Sequence, residues 1–343
     1  MNLPPTPFFL FGEGHRKKMI YRKGCLISWP DGKVIFRHKD VAAEKVDAPA
    51  CRVSLDSGDG RKIAVYEDQV GIWVEEDGLS RCLCESPVKH PAFEGHPHAP
   101  LLSSLHHEIL VNILNGAPVP NFLVYPKPWY RDAALVAMAL EHTHNMALIR
   151  DWIISLGDCF DRLNPGDPEP DNLGQLLYML SLVSNKSHPL APRILEHLRD
   201  FMDEGAIRGT TDFAEHPVYQ TAWLKFGLKA MGLPDYLTIP DVEDSYSTLC
   251  WWSDKVRRKT PPVRFHEAAD KRPCLAWAEA HFLKLPPPLE LAGKAFPLTW
   301  EADASQAKYG GMMIVDPAFT DERICAPHAW HAAEMFLYLL ECT

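Results

Sequence analysis

The segment PWYRDAA (residues 128–134) joins two aromatic residues and an Arg–Asp pair to an apolar run. Proline followed by polar residues and then by apolar residues at helical spacing predicts a helix over residues 129–144. A guanidinium that donates beside a carboxylate that accepts can hold adjacent hydroxyls of one sugar. The alternative is that the Asp only favours the helix dipole and the Arg makes a surface ion pair. The sugar-binding interpretation assigns substrate contacts to Trp129, Tyr130, Arg131 and Asp132.

The chain changes character near residue 100. Before it, Asp–Gly turns between short alternating apolar runs in residues 20–85 predict β-hairpins, and residues 86–104 form a connector rich in proline and histidine. After it, helical spacing dominates. The sequence therefore predicts a small β-rich domain and connector over residues 1–100 and a helical catalytic domain over 101–343. The predicted helices are 105–114, 129–144, 146–156, 173–183, 193–202, 217–231, 245–257, 273–283 and 327–340.

Composition excludes several classes of function. The 343 residues carry 35 Lys and Arg against 45 Asp and Glu, a net charge of −10, which argues against nucleic acid or an anionic membrane as partner. We expect a cytoplasmic protein, because no apolar run is long enough to span a membrane and the N-terminus does not resemble a signal peptide. The nine cysteines form no C-x-x-C pair, and the histidine pairs at 96/98 and 142/144 lack zinc-site spacing. We therefore expect neither a metal nor a cofactor, and we expect a carbohydrate substrate.

The last predicted helix begins with HAWHAAEMFL (residues 328–337), shortly after Asp321 and Glu322. Together with Arg131 and Asp132, this pattern resembles the six-hairpin (α/α)6-barrel glycosidases, and the glucoamylase-like enzymes in particular. The resemblance implies a mainly α fold, a helical toroid that is complete or incomplete, with a small N-terminal β domain. It also implies that the Arg–Asp segment binds the terminal sugar and that a catalytic carboxylate precedes the last helix.

Inverting glycosidases need a carboxylic acid and a carboxylate base on opposite faces of the sugar. Glu169 and Asp171 precede an apolar helix and are the candidate acids, although either could be a loop or capping residue. The candidate bases are Glu301, Asp321 and Glu322. Further residues predicted to line the substrate site are His216, Trp300, His328, Trp330 and His331.

Two other classes of function remain open from the sequence. One is a sugar epimerase, an isomerase or a polysaccharide lyase, for which the sequence offers histidine and tyrosine bases. The other is a carbohydrate-binding or scaffold protein that keeps the Arg–Asp pair without catalysis. The candidate bases for the first class are Tyr130, His142, His144, His216 and His328.

Overall fold

The computed structural model describes residues 8–164, 166–242, 244, 246, 286, 296–299 and 326–341. Its first part consists of two antiparallel sheets in which strands that are adjacent in sequence pair with each other. The four-stranded sheet contains β1 (Phe9–Phe11), β2 (Met19–Arg22), β3 (Cys25–Ser28) and β4 (Val34–Arg37). The five-stranded sheet contains β5 (Val41–Asp47), β6 (Arg52–Ser57), β7 (Lys62–Glu67), β8 (Gly71–Glu76) and β9 (Leu79–Glu85).

Alternation of apolar and polar residues sets the register of the five-stranded sheet. On β6, Val53 and Leu55 are buried while their neighbours point outward. They pair with Val65 and Ile63 of β7, so that the apolar residues of both strands lie on one face. This face packs against apolar residues of β1–β4 and forms the core of the strand-rich part.

Seven α-helices are present among the described residues, and five of them pack side by side. The series runs α1, α7, α2, α4, α6, as the helix-to-helix contacts show. Gly174 of α4 and Gly227 of α6 allow the closest approach, since a Cβ on Gly174 would lie 2.5 Å from a backbone nitrogen of α6. The helices are α1 (Ala99–Val111), α2 (Tyr130–His142), α3 (Arg150–Ser155), α4 (Asp171–Val183), α5 (Leu190–Phe201), α6 (Pro217–Ala230) and α7 (Ala329–Glu341).

Three short hairpins interrupt the helical part. Each has two-residue strands and a two-residue turn in which both residues have positive φ, as in type I′ turns. The turns are Asn115–Gly116, Glu204–Gly205 and Asp212–Phe213. The hairpins are β10 (Ile113–Leu114) with β11 (Ala117–Pro118), β12 (Met202–Asp203) with β13 (Ala206–Ile207), and β14 (Thr210–Thr211) with β15 (Ala214–Glu215).

The expectation of a mainly α helical toroid is wrong. The described residues hold seven α-helices and five antiparallel sheets, so the fold is mixed α and β rather than an α/α barrel. The physical reason lies in the connections. After α1 and α5 the chain closes into hairpins instead of starting another helix, and residues 9–85 form nine strands. The resemblance to six-hairpin, glucoamylase-like enzymes therefore does not describe this fold.

Some expectations about organisation are not tested by these elements. The domain boundary near residue 100 stays a prediction. The predicted helices 245–257 and 273–283 lie outside the described residues, apart from Tyr246. Within the described ranges, every helix is too short or too polar to cross a membrane.

Candidate functional site

Four helices begin close to one another and bring polar side chains together. Arg131 of α2 donates to Asp171, the first residue of α4. Gln175 of α4 donates to the hydroxyl of Tyr219 on α6, over 3.1 Å. The guanidinium carbon of Arg131 also lies 5.6 Å from the ring centre of Trp330 on α7. Since helix N-termini carry partial positive charge, this arrangement favours carboxylates.

Arg131 is the centre of a buried ion-pair network, which we call the Arg131 cluster: Arg131, Asp132, Glu169, Asp171, Asp212 and Tyr246. Nε of Arg131 lies 3.2 Å from Oδ2 of Asp171, and Nη2 lies 3.1 Å from Oε2 of Glu169. Nη1 donates to the hydroxyl oxygen of Tyr246 over 2.6 Å. All three nitrogens of the guanidinium therefore hold protein partners, which fixes the orientation of Arg131.

Asp171 and Glu169, the two predicted acids, are both tied into this network. Asp171 is fully buried, and its oxygens also accept from Gln175 over 2.8 Å and from Thr211 over 2.9 Å. Glu169 accepts from Asn164 over 2.9 Å in addition to Arg131. Burial raises the pKa of Glu169, although the charge of Arg131 opposes this. These contacts are those expected if Glu169 and Asp171 hold the side chain of Arg131 in position.

Asp212 brings a more accessible carboxylate to the cluster. It lies in the turn of the β14–β15 hairpin, and its side chain is 39% exposed. The hydroxyl of Tyr246, which accepts from Arg131, donates to Oδ2 of Asp212 over 3.3 Å. The backbone of Asp212 donates to Glu169, which anchors the turn. The next residue, Phe213, has a φ of 70° and a ring that is 62% exposed.

Asp132 has a different environment from its neighbour Arg131. Its side chain is buried, and Oδ1 has no hydrogen-bond partner among the described residues. The pKa of Asp132 is raised to about 7, mainly by burial; the charge of Arg131 opposes this rise, and the carboxylates of Asp161 and Asp212 add to it. Nδ1 of His328 lies 3.8 Å from Oδ1 of Asp132.

Aromatic rings and histidines surround the cluster. The ring of Tyr246 lies 5.7 Å from that of Trp330 and stacks on His216 at 4.1 Å. Nδ1 of His216 lies 3.4 Å from Oδ1 of Asp244, a carboxylate that also accepts from the first backbone amides of α6. On α7, His331 stacks against Trp330. The cluster thus has aromatic faces and ring nitrogens next to its carboxylates.

The structure brings together eight of the predicted site residues: Arg131, Asp132, Glu169, Asp171, His216, His328, Trp330 and His331. Tyr130 is directed elsewhere, because its hydroxyl donates to the backbone of Asp158. Trp129 is half-buried at the start of α2. Trp300, Glu301, Asp321 and Glu322 lie outside the described residues.

Sequence reasoning missed Asp212, Tyr246 and Gln175. The only sequence signal for Asp212 is its position after the β-branched residues Thr210 and Thr211 and before the aromatic Phe213. This signal is too weak to predict a hairpin. His142 and His144 were also candidate bases, but they lie at or beyond the C-terminal end of α2. At a rise of 1.5 Å per residue, this places them about 16 Å or more from Arg131.

Comparison with known proteins adds nothing to this description: no family model, no curated protein and no solved structure matches the chain. The interpretation of function therefore depends on the geometry of the Arg131 cluster.

Proposed function

We propose that this protein is a glycoside hydrolase that acts by general acid and base catalysis, with Asp132 as the acid and Asp212 as the second carboxylate. The observation that carries the proposal is the contrast between two carboxyl groups in one cluster. Asp132 is buried with a pKa of about 7, whereas Asp212 is partly exposed beside Arg131 and Tyr246. Two carboxyl groups whose environments differ in this way are suited to the roles of proton donor and base.

Protonated Asp132 would give its proton to the leaving oxygen of the glycosidic bond. A carboxyl group with a pKa near 7 keeps its proton at neutral pH and still transfers it readily. Its buried Oδ1 has no acceptor or donor among the described residues, so no such partner there competes with a substrate atom for it. His328, 3.8 Å away, would stabilise the carboxylate that remains after the transfer.

Asp212 would accept the proton of the attacking water. The hydroxyl of Tyr246 donates to Asp212, and Nη1 of Arg131, which is itself held by Glu169 and Asp171, lies 4.0 Å from Oδ2 of Asp212. In this assignment Glu169 and Asp171 are positioning residues. Phe213, with a ring that is 62% exposed, offers an apolar face of the kind on which sugar rings stack.

The test is activity on a panel of aryl glycosides and oligosaccharides in H₂¹⁸O, which labels the anomeric carbon if the bond is hydrolysed. We expect Asp132→Asn to lower kcat by about 10²–10⁴ on substrates with poor leaving groups and much less on activated aryl glycosides. We expect Asp212→Asn to lower kcat on both, with partial rescue by azide. Asp203→Asn, an exposed carboxylate on β12, is the matched control.

Near-wild-type turnover in Asp132→Asn and Asp212→Asn would contradict the assignment of these two residues. If Asp212→Asn alone keeps its activity, the base is to be sought among Glu301, Asp321 and Glu322. Binding of oligosaccharide without any labelled product would instead support a carbohydrate-binding protein.

A second candidate function is proton transfer at a sugar carbon, as in an epimerase or lyase. The short distance between His328 and Asp132 favours it, because a carboxylate orients an imidazole that acts as base. Exchange of a carbon-bound hydrogen in D₂O, or an unsaturated product that absorbs in the ultraviolet, distinguishes it from hydrolysis.

A further inference from the structure

A second polar cluster lies where the strand-rich part meets α1, away from the Arg131 cluster. We call it the Glu13 cluster: Glu13, Cys51, His90 and His107. Glu13 follows β1, Cys51 follows the short 3-10 helix Ala48–Ala50, and His107 is on α1. One ligand atom each from Glu13, Cys51 and His107 lie within 4.8 Å of one another, and all three residues are buried.

One distance between these atoms is shorter than in a tetrahedral zinc site, and one lies within the range of such a site. Oε1 of Glu13 lies 2.9 Å from Nδ1 of His107 and 3.6 Å from Sγ of Cys51. Zn–S and Zn–N or Zn–O bonds of about 2.3 and 2.1 Å place neighbouring ligand atoms roughly 3.3–3.8 Å apart. Nε2 of His90 lies 2.5 Å from Oε2 of Glu13 and outside this group of three, so a shift of its partly exposed side chain would bring in a fourth ligand.

His107 is oriented as metal-bound histidines usually are. Its Nε2 lies 2.9 Å from the backbone oxygen of Leu10, and its ring stacks on Phe9 with an angle of 6° between the planes. A backbone acceptor on one ring nitrogen directs the other toward the metal. That other nitrogen, Nδ1, faces Glu13 and Cys51.

The charges of the cluster permit a divalent cation. Nδ1 of His107 lies beside the carboxylate of Glu13, and its Nε2 lies beside the backbone oxygen of Leu10. A Zn²⁺ ion bound here would be balanced by the Glu13 carboxylate and by the thiolate that remains when Cys51 releases its proton. Of the neighbouring cations, Arg16 pairs with Glu67 over 3.0 Å and lies 3.7 Å from Oε2 of Glu13, and Lys18 donates to backbone oxygens of Gly12 and Gly14.

We propose that Glu13, Cys51 and His107, with His90 as the fourth ligand, bind a structural zinc ion that ties the first strands to α1. One thiolate with imidazole and carboxylate ligands is a combination that Zn²⁺ accepts in tetrahedral geometry. The site would link three segments that are distant in the chain. Its role is stability rather than catalysis, since Glu13, Cys51 and His107 are buried.

The experiment uses the full chain after dialysis against a chelator, titrated with Co²⁺ and then with Zn²⁺. We expect one metal ion per chain, tetrahedral d–d bands, a thiolate-to-cobalt charge-transfer band, displacement by Zn²⁺ and a Tm raised by several degrees. Cys51→Ser should abolish the charge-transfer band and the rise in Tm. Cys159→Ser, which removes another buried thiol, is the matched control and should bind as the wild type does.

If Cys51→Ser fails to fold, His90→Ala tests the site, because His90 is 25% exposed at the side chain and tolerates truncation. This variant should keep the charge-transfer band and lose at least about tenfold in metal affinity. Absence of the band in folded wild-type protein, its persistence in Cys51→Ser, or unchanged affinity in His90→Ala would overturn the proposal.

Discussion

Replacement of Asp132 by asparagine should remove a pH-dependent loss of stability. In the folded protein, burial raises the pKa of Asp132 to about 7, compared with 3.8 for an ordinary aspartate. Below pH 3.8 both the folded and the unfolded states are protonated, and the group contributes nothing. Between pH 3.8 and 7 the unfolded state ionises while the folded state keeps its proton. The wild-type protein therefore loses stability as the pH rises through this window.

The magnitude follows from the size of the shift. Each pH unit in the window costs the folded state about 1.4 kcal/mol, so the full loss is about 4 kcal/mol above pH 7. Asparagine has the same shape and does not titrate. The free energy of unfolding of Asp132→Asn minus that of the wild type should therefore rise by about 4 kcal/mol between pH 4 and pH 7.5.

Urea unfolding at pH 4, 5, 6, 7 and 7.5 measures this difference, with Asp203→Asn as the control for loss of one surface carboxylate. The control should differ from the wild type by less than about 0.5 kcal/mol at each pH. A difference between Asp132→Asn and the wild type that stays flat, or that falls as the pH rises, would refute the argument that Asp132 is buried and protonated at neutral pH.

Three further predictions concern stability. Asp171→Ala should lower the free energy of unfolding by about 3 kcal/mol in urea unfolding, because it removes a buried partner of Arg131; a loss below 1 kcal/mol would contradict the central place of this ion pair. Gly174→Ala should lower the free energy of unfolding by at least about 2 kcal/mol, because the added Cβ meets the backbone of α6. Gly157→Ala, with open space around it, should change Tm little. Equal effects of the two substitutions would contradict the close contact between α4 and α6. Phe213→Gly should raise the free energy of unfolding by about 1 kcal/mol, because glycine adopts the positive φ without strain, and a decrease would show that the exposed ring stabilises the folded chain.

The helices were the part of the fold that the sequence predicted well. Helical spacing predicted residues 129–144 and 173–183, and the structure has α2 at Tyr130–His142 and α4 at Asp171–Val183. The short hairpins were not predicted, because two-residue strands have no measurable alternation. Asn115–Gly116, a strong turn signal directly after the predicted helix 105–114, closes the hairpin of β10 and β11. Because the short hairpins are missed, the sequence predicts individual helices correctly but predicts the wrong architecture.

The candidate site was predicted in part, because helix starts can be found from sequence while contacts between distant segments cannot. Arg131, Glu169 and Asp171 were each placed at a helix start, and the structure joins them in one network. Asp212 and Tyr246 reach the same network from a hairpin and from a segment 115 residues after Arg131. No local sequence pattern predicts these contacts between distant segments, because they depend on how α4 and α6 pack.

The adjacent residues Arg131 and Asp132 illustrate how one sequence motif divides into two roles. Consecutive residues of a helix point about 100° apart, so a neighbouring pair in the first turn faces different surroundings. Arg131 is directed toward Glu169, Asp171 and Tyr246, which hold all three of its nitrogens. Asp132 is directed toward His328 and keeps an oxygen without a hydrogen bond among the described residues. A fixed arginine beside a carboxyl group with an unsatisfied oxygen is an arrangement in which the first residue contributes to the electrostatic environment of the second.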